Sequence, residues 1–281
     1  MIYLNGQWPL AQANISVLDR GFLFGDGVYE LIPVYARKPF RLEEHLRRLQ
    51  HSLDGIRLLN PCTLSEWTKL IEEVVGAQDY DNQSVYVQIT RGVAPREHAF
   101  PSGVSPTVFL MANPLNNPPR ELIEKGVPAI SGRDIRWGRC DLKTLNLLPN
   151  VLGRQAAAEE GCVETVMFRD GVLTEGAASN ILVVINGVIL APVKDHRVLP
   201  GITYDVVLEL AAENGMTTRV RDIAEAEVRA ADELWLTSSS REIQAIVSLD
   251  GKPVGDGTPG AVYRNMYGLY QRFKDSLGGG R

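Results

Sequence analysis

Cysteine is scarce in this chain of 281 residues, which has only Cys62, Cys140 and Cys162. The three lie far apart, form no Cys-x-x-Cys pair and cannot all pair within one chain. A disulfide framework is excluded, and a reduced compartment, the cytoplasm, is expected. The four histidines, His45, His51, His98 and His196, lack metal-ligand spacing, so no metal is expected. There is no excess of basic charge: 29 basic and 34 acidic side chains give a formal net charge of −5, without the electrostatic footprint of a nucleic-acid binder. Long apolar runs are absent too. The longest, Ile181 to Pro192, is broken by Asn186-Gly187 and is too short to span a bilayer. The opening Met-Ile-Tyr-Leu-Asn-Gly has neither the basic nor the apolar region of a secretory signal, so none is expected. Common site fingerprints are also missing. The glycines of Gly21–Gly27 do not match G-x-G-x-x-G, and no Walker A or G-x-S-x-G sequence occurs.

What is present is ordinary globular composition, 44% hydrophobic and 22% charged, which excludes wholesale disorder. At ~100–200 residues per domain, the length suggests about two domains. The segment Asn113-Pro-Leu-Asn-Asn-Pro-Pro119 can continue neither a helix nor a central strand. It divides the chain into an N-terminal α+β domain over 1–112, a linker over 113–120 and a C-terminal α+β domain over 121–281.

Asn5-Gly6, Asp170-Gly171, Asn186-Gly187 and Asp250-Gly251 each join β-type runs and read as hairpin turns. Val28–Tyr35 reads as a strand that Pro33 pushes to an edge or a bulge. Ser84–Thr90 alternates as a half-buried strand does, and Thr107–Ala112 is a further strand. Leu46, Leu49, Leu53 and Ile56 form a helical stripe, and Thr63 with Glu66 makes a capping box for a second helix. Helices are expected near Leu147–Glu160, Thr203–Asn214 and Gly260–Leu277, with Gly215 as a helix-ending glycine. The pattern is two α+β domains, not an alternating parallel array.

Several polar residues in apolar surroundings are candidates for chemistry. Lys143, in Cys140-Asp-Leu-Lys143, is either a desolvated amine nucleophile or a solvated loop lysine. Leu199-Pro-Gly-Ile-Thr203 leads into a helix and is either a phosphate-holding N-terminus or a plain Thr N-cap. Thr237-Ser-Ser-Ser240 closes a strand with hydroxyls that can hold phosphate or simply make a turn. Thr174–Asn180 carries a single acid, Glu175, and reads otherwise as a turn between strands. Arg96 and His98, two apart in a loop, can grip a carboxylate or belong to an ordinary basic loop. Arg48 lies on the polar flank of the first helix, where surface arginine is the default.

Taken together, Asp19–Glu30, Glu44–Leu49, Arg91–His98, Arg136–Asn146, Thr174–Gly176 and Thr237–Ser239 make the chain resemble the fold type IV pyridoxal-phosphate aminotransferases, specifically the D-amino acid aminotransferases. The resemblance runs almost end to end, in the family order. It implies a two-domain α+β fold of that type and pyridoxal 5′-phosphate as cofactor, with Lys143 as the Schiff-base lysine and proton shuttle. It implies that Glu175 sits against the pyridine nitrogen. Phosphate contacts are implied for Arg48, Ile202, Thr203, Ser238 and Ser239. Tyr29 is implied to flank the cofactor, and Tyr29, Arg96 and His98 to bind the substrate carboxylate. Arg96 and His98 would come from the neighbouring subunit of a homodimer with a shared active site. The implied reaction is ping-pong transamination between a D-amino acid and a 2-oxo acid. A branched-chain L-amino acid aminotransferase or an aminodeoxychorismate lyase of the same fold is the alternative, and a non-catalytic pyridoxal-phosphate-binding protein is the alternative of a different class. Four residues depart from the family pattern. Ala177 and Ala178 stand where the D-specific members carry serines, Pro33 falls in a site-facing strand, and Arg241 stands where a small polar residue is common.

Overall fold

A computed structural model describes residues 2–8, 13–116 and 118–277. The chain divides into two compact units, Met1–Asn116 with Leu142–Asn146, and Asn117–Asp141 with Leu147–Arg281. The sequence boundary at 113–120 puts Lys143 in the C-terminal half. By its contacts, the lysine segment packs instead with the first unit.

The first unit runs β1 (Ile2–Leu4), α1 (Arg20–Phe24), β2 (Gly27–Tyr35), β3 (Lys38–Pro39), α2 (Leu42–Gly55), α3 (Leu64–Gly76), β4 (Gln83–Thr90) and β5 (Thr107–Pro114). Its sheet is antiparallel, in the order β1-β5-β4-β2-β3. Beyond β2 only the two residues of β3 pair, so Pro33 lies in a near-edge strand, where its carbonyl still accepts from Phe40 N at 2.8 Å. Val28, Ile32 and Val34 of β2 alternate onto the core against Leu46, Leu49 and Leu53 of α2 and Trp67, Ile71 and Val74 of α3. The Thr63–Glu66 capping box is present with both reciprocal bonds. Strand β5 continues to Pro114, paired with Gln83, so strand pairing runs two residues into the segment read as linker. Asn117 of that segment and the Gly-Gly-Gly-Arg tail lie outside the described residues.

The second unit runs α4 (Arg120–Lys125), β6 (Val127–Arg133), α5 (Leu148–Glu159), β7 (Glu164–Arg169), β8 (Val172–Gly176), β9 (Asn180–Ile185), β10 (Val188–Ala191), α6 (Ile202–Glu213), β11 (Thr218–Val220), α7 (Glu225–Arg229), β12 (Glu233–Ser238), β13 (Glu242–Leu249), β14 (Lys252–Pro253) and α8 (Ala261–Leu277). The sheet order is β11-β10-β9-β12-β13-β6-β7-β8, with β14 paired to β13. Strand β6 pairs parallel with both β13 and β7, so the sheet is mixed. Its core gathers Val166, Ile181, Val183, Leu234, Leu236 and Ile246. The turn residues Asp170-Gly171, Asn186-Gly187 and Asp250-Gly251 all take positive φ, as two-residue hairpin turns require. Among the described residues, no helix is long and apolar enough to cross a membrane.

Candidate active site

The candidate residues fall into two groups, one in each unit. In the first unit, the segment carrying Lys143 is stitched onto the start of β2. Tyr29 N donates to Lys143 O at 3.0 Å, and Leu145 N donates to Gly27 O at 3.0 Å. Lys143 N donates to Ser52 Oγ on α2 at 3.0 Å. Gly55 lets α2 approach closely, since a Cβ there would meet Leu142 Cδ2 at 2.4 Å. The lysine backbone is thus fixed on both sides, and its Nζ lies 4.1 Å from the centroid of the Tyr29 ring. Tyr29 stacks in turn on Tyr86, with ring centroids 5.7 Å apart.

Arg48 is not the surface arginine its place on the helix suggests. It is buried, and its Nε and Nη2 fork onto the two oxygens of Glu30, each at 2.8 Å. His45 Nδ1 meets Glu30 Oε2 at 2.9 Å. Burial would raise the Glu30 carboxyl, but the Arg48 charge and the hydrogen bonds outweigh it and hold the acid well below the usual carboxylate range. Burial pushes His45 down, against the pull of Glu30. His45 Nε2 is buried without a hydrogen-bond partner. Glu30 and His45 carry this anchoring role without a sequence signal beyond sitting inside recognised segments.

Arg96 and His98 lie exposed on the loop between β4 and β5. They flank Phe24, with the Arg96 guanidinium 5.3 Å and the His98 ring 5.4 Å from its ring centroid. Neither hydrogen-bonds to Tyr29 among the described residues. The root of their loop is rigid. Arg20 and Arg91 converge on Asp26, each with Nε at 2.8 Å from Oδ2. Arg20 Nη2 also donates to His98 O at 3.3 Å.

In the second unit, Glu175 is buried near the end of β8. Its Oε1 accepts from Arg136 Nη1. Its Oε2 accepts from Asn180 Nδ2 at 3.0 Å and Leu199 N at 3.1 Å. Burial dominates and pushes the acid up to about 7, although the Arg136 charge pulls the other way. Arg136 is itself locked by Asp134, which accepts its Nε at 2.9 Å and its Nη2 at 2.8 Å. Arg136, Asp134 and Asn180 are site residues that sequence reasoning missed. Asn180 Nδ2 also donates to Leu199 O at 2.9 Å, tying the acid to the loop that enters α6. A Cβ at Gly201 would meet Asn180 Oδ1 at 1.9 Å, so this close approach needs glycine.

Gly201 is the N-cap of α6 and supplies no capping side chain. The first-turn N–H groups at Ile202 and Thr203, with the positive end of the helix dipole, can take a phosphate. Thr203 is therefore inside the helix and not its N-cap. Ser238 and Ser239 follow Thr237 of β12, which stands in register with Asn180 of β9, the residue whose Nδ2 donates to Glu175. Thr237 Oγ1 is buried without a hydrogen-bond partner.

A buried acid, an uncapped helix start and strand-end hydroxyls meet what comparison with known proteins finds. Residues 27–249 match the class IV amino-transferase family model. The chain belongs to the class IV aminotransferases. It is 37% identical over 256 residues to the D-alanine aminotransferase of Bacillus licheniformis, covering 91% of this chain and 90% of that protein. It is 35% identical to the D-alanine aminotransferase of Staphylococcus aureus (strain MW2), covering 98% of each. Among solved structures, the Escherichia coli branched-chain amino acid aminotransferase superposes with a TM-score of 0.90 at 26% identity, over 96% of this chain and 93% of that one. The branched-chain amino acid aminotransferase of T.th., solved with pyridoxamine 5′-phosphate, gives 0.90 at 26%, over 97% and 93%. This class IV aminotransferase thus has the fold type IV architecture that the resemblance implied.

Proposed function

We propose that this class IV aminotransferase transfers an amino group from a D-amino acid, such as D-alanine, to a 2-oxo acid, such as 2-oxoglutarate, with pyridoxal 5′-phosphate as cofactor. The observation that carries the reading is full-length similarity to D-alanine aminotransferases at 35–37% identity. The donor set of the second unit fits the cofactor. A buried carboxyl suits a ring nitrogen, and an uncapped helix start together with the hydroxyls at the end of β12 suits a phosphate.

The cofactor, when bound, supplies an electron sink for the carbanion left when the substrate Cα loses its proton. Lys143 Nζ takes that proton and later returns one, and the Tyr29 ring beside it orients the amine. Glu175 holds a proton against the ring nitrogen, and a carboxyl near 7 shares it readily at neutral pH. Ile202 and Thr203 through their backbone N–H groups, Ser238 and Ser239 through their hydroxyls, and Arg48 bind the phosphate. Tyr29, with Arg96 and His98 from the neighbouring subunit of a homodimer, grips the substrate carboxylate. The exposure of Arg96 and His98 in one chain supports that arrangement. Three free cysteines support a reducing, cytoplasmic setting.

The second reading, a branched-chain L-amino acid specificity, is favoured by the solved structures at 26% identity. A coupled assay of pyruvate release from D-alanine, run beside an assay of the 2-oxo acid formed from L-valine, decides between them. D-alanine with 2-oxoglutarate should turn over, and L-valine should not. Turnover confined to L-valine would establish the second reading.

A further inference from the structure

In the second unit the turn between β12 and β13 carries a positive charge without a hydrogen-bond or ion-pair partner among the described residues. The chain leaves β8 through Ala177–Ser179 and enters β9 at Asn180, whose register partner in β12 is Thr237. Ser238 pairs with Glu242, so residues 239–241 form the turn between β12 and β13. The two turns therefore lie at the same end of neighbouring strands. Glu164, at the start of β7, is buried beneath the first turn. Its Oε2 accepts from Ser179 Oγ at 2.7 Å and Ala178 N at 3.3 Å, and its Oε1 accepts from Thr165 N at 2.9 Å.

Arg154 and Arg241 both lie within electrostatic range of this one occupied carboxylate. Arg154 of α5 brings Nη1 to 3.8 Å from Glu164 Oε1, beyond hydrogen-bond reach, and that nitrogen is buried without a hydrogen-bond partner. Arg241, on the second turn, is half-buried. Its backbone N donates to Ser238 Oγ at 3.2 Å, while its guanidinium makes no hydrogen bond or ion pair among the described residues. Burial pushes the Arg241 guanidinium below its ordinary range, neighbouring Arg154 adds to that, and Glu164 opposes it. Two guanidiniums partly removed from water against one carboxylate leave a net charge and an unmet donor. An anion with a planar, two-oxygen head would answer both.

We propose that Arg154 and Arg241 form a carboxylate subsite whose ligand is the side-chain carboxylate of a dicarboxylic substrate: D-glutamate or D-aspartate as donor, 2-oxoglutarate as acceptor. The assignment rests on the D-amino acid reading above. The first turn begins two residues after Glu175, and Arg241 closes the turn that holds Ser239, so the subsite adjoins the residues given to the ring and the phosphate. D-alanine has no second carboxylate and cannot use it.

The test uses the cofactor-loaded enzyme, with glutarate and butyrate as non-reacting probes, by calorimetry. The wild type should bind glutarate at least tenfold more tightly than butyrate, and Arg241→Ser and Arg154→Gln should bring the two close to parity. In turnover, the ratio of kcat/KM for D-glutamate to that for D-alanine should fall at least tenfold in Arg241→Ser. A glutarate preference unchanged in both variants, or equal weakening of both probes, overturns the subsite. Because the probes do not react, the outcomes separate. Absent D-alanine turnover with an Arg241-dependent glutarate preference overturns the D-amino acid reading and keeps the carboxylate site. D-alanine turnover without that preference does the reverse.

Discussion

Glu175 and Arg136 form a buried ion pair in which the acid is nonetheless pushed up to about 7, because burial outweighs the guanidinium beside it. This fixes the sign of a stability effect. Between an ordinary value of 4.5 and about 7, Glu175 is protonated in the fold and ionised in the unfolded chain. The unfolded state then binds fewer protons, so stability falls as pH rises through that window. Glu175→Gln removes the effect. The unfolding free energy of the cofactor-free wild type minus that of the variant should drop between about pH 4.5 and 7 by up to about 1.4 kcal/mol per pH unit. Denaturant titrations of both proteins across that range measure it, and a flat difference would show that Glu175 is not the titrating group.

Lys143→Ala should abolish transamination and leave the fold intact, since the segment is held by backbone bonds from Lys143 N and O rather than by the amine. Borohydride reduction of the cofactor-loaded wild type, followed by peptide mapping, should find the label on Lys143. A label on Lys125 or Lys194 would overturn the assignment.

Glu30→Gln should destabilise the first unit strongly. The acid is fully buried and meets Arg48 twice and His45 once. Removing one partner of a buried pair costs roughly 3–5 kcal/mol, because the remaining charge is left uncompensated. A fall in Tm of several degrees, with weaker cofactor retention through a displaced Arg48, is the expected result. An unchanged Tm would show that the triad is not a structural anchor.

Much of this architecture is legible in local chemistry. The Thr63–Glu66 box, the four Asx-Gly turns and the alternation of Val85, Val87 and Ile89 each encode their element within a few residues. The anchoring of the site is less so. Arg48 and Glu30 are 18 residues apart and Arg136 and Glu175 39 apart, and nothing local distinguishes these acids from surface ones. Strand β6, joined in parallel to β7 and β13, leaves no such local signal, because its pairing depends on strands far along the chain. The lysine segment misleads the domain boundary for the same reason: its partners, Gly27, Tyr29 and Ser52, all lie far earlier in the chain, the nearest of them 91 positions before Lys143.

Arg96→Ala should raise the Michaelis constant for every D-amino acid and for 2-oxoglutarate. A charge-assisted contact is worth roughly 1.5–3 kcal/mol, on the order of tenfold to a hundredfold in binding. The visible absorption of the loaded enzyme should not move, because Arg96 packs on Phe24 in the exposed loop. His98→Ala should act in the same direction and less strongly, since a ring nitrogen offers a single contact where the guanidinium offers a planar two-pronged donor. Unchanged constants for all substrates in Arg96→Ala would remove this pair from the substrate site.

The central claim, D-amino acid transamination on a cofactor held by Lys143 and Glu175, is tested most directly by following the visible band of the purified protein during addition of D-alanine and, separately, of L-alanine. The account predicts a yellow protein whose band is lost with D-alanine, is restored by 2-oxoglutarate and does not respond to L-alanine. A band that responds to L-alanine alone, or to neither enantiomer, would contradict it.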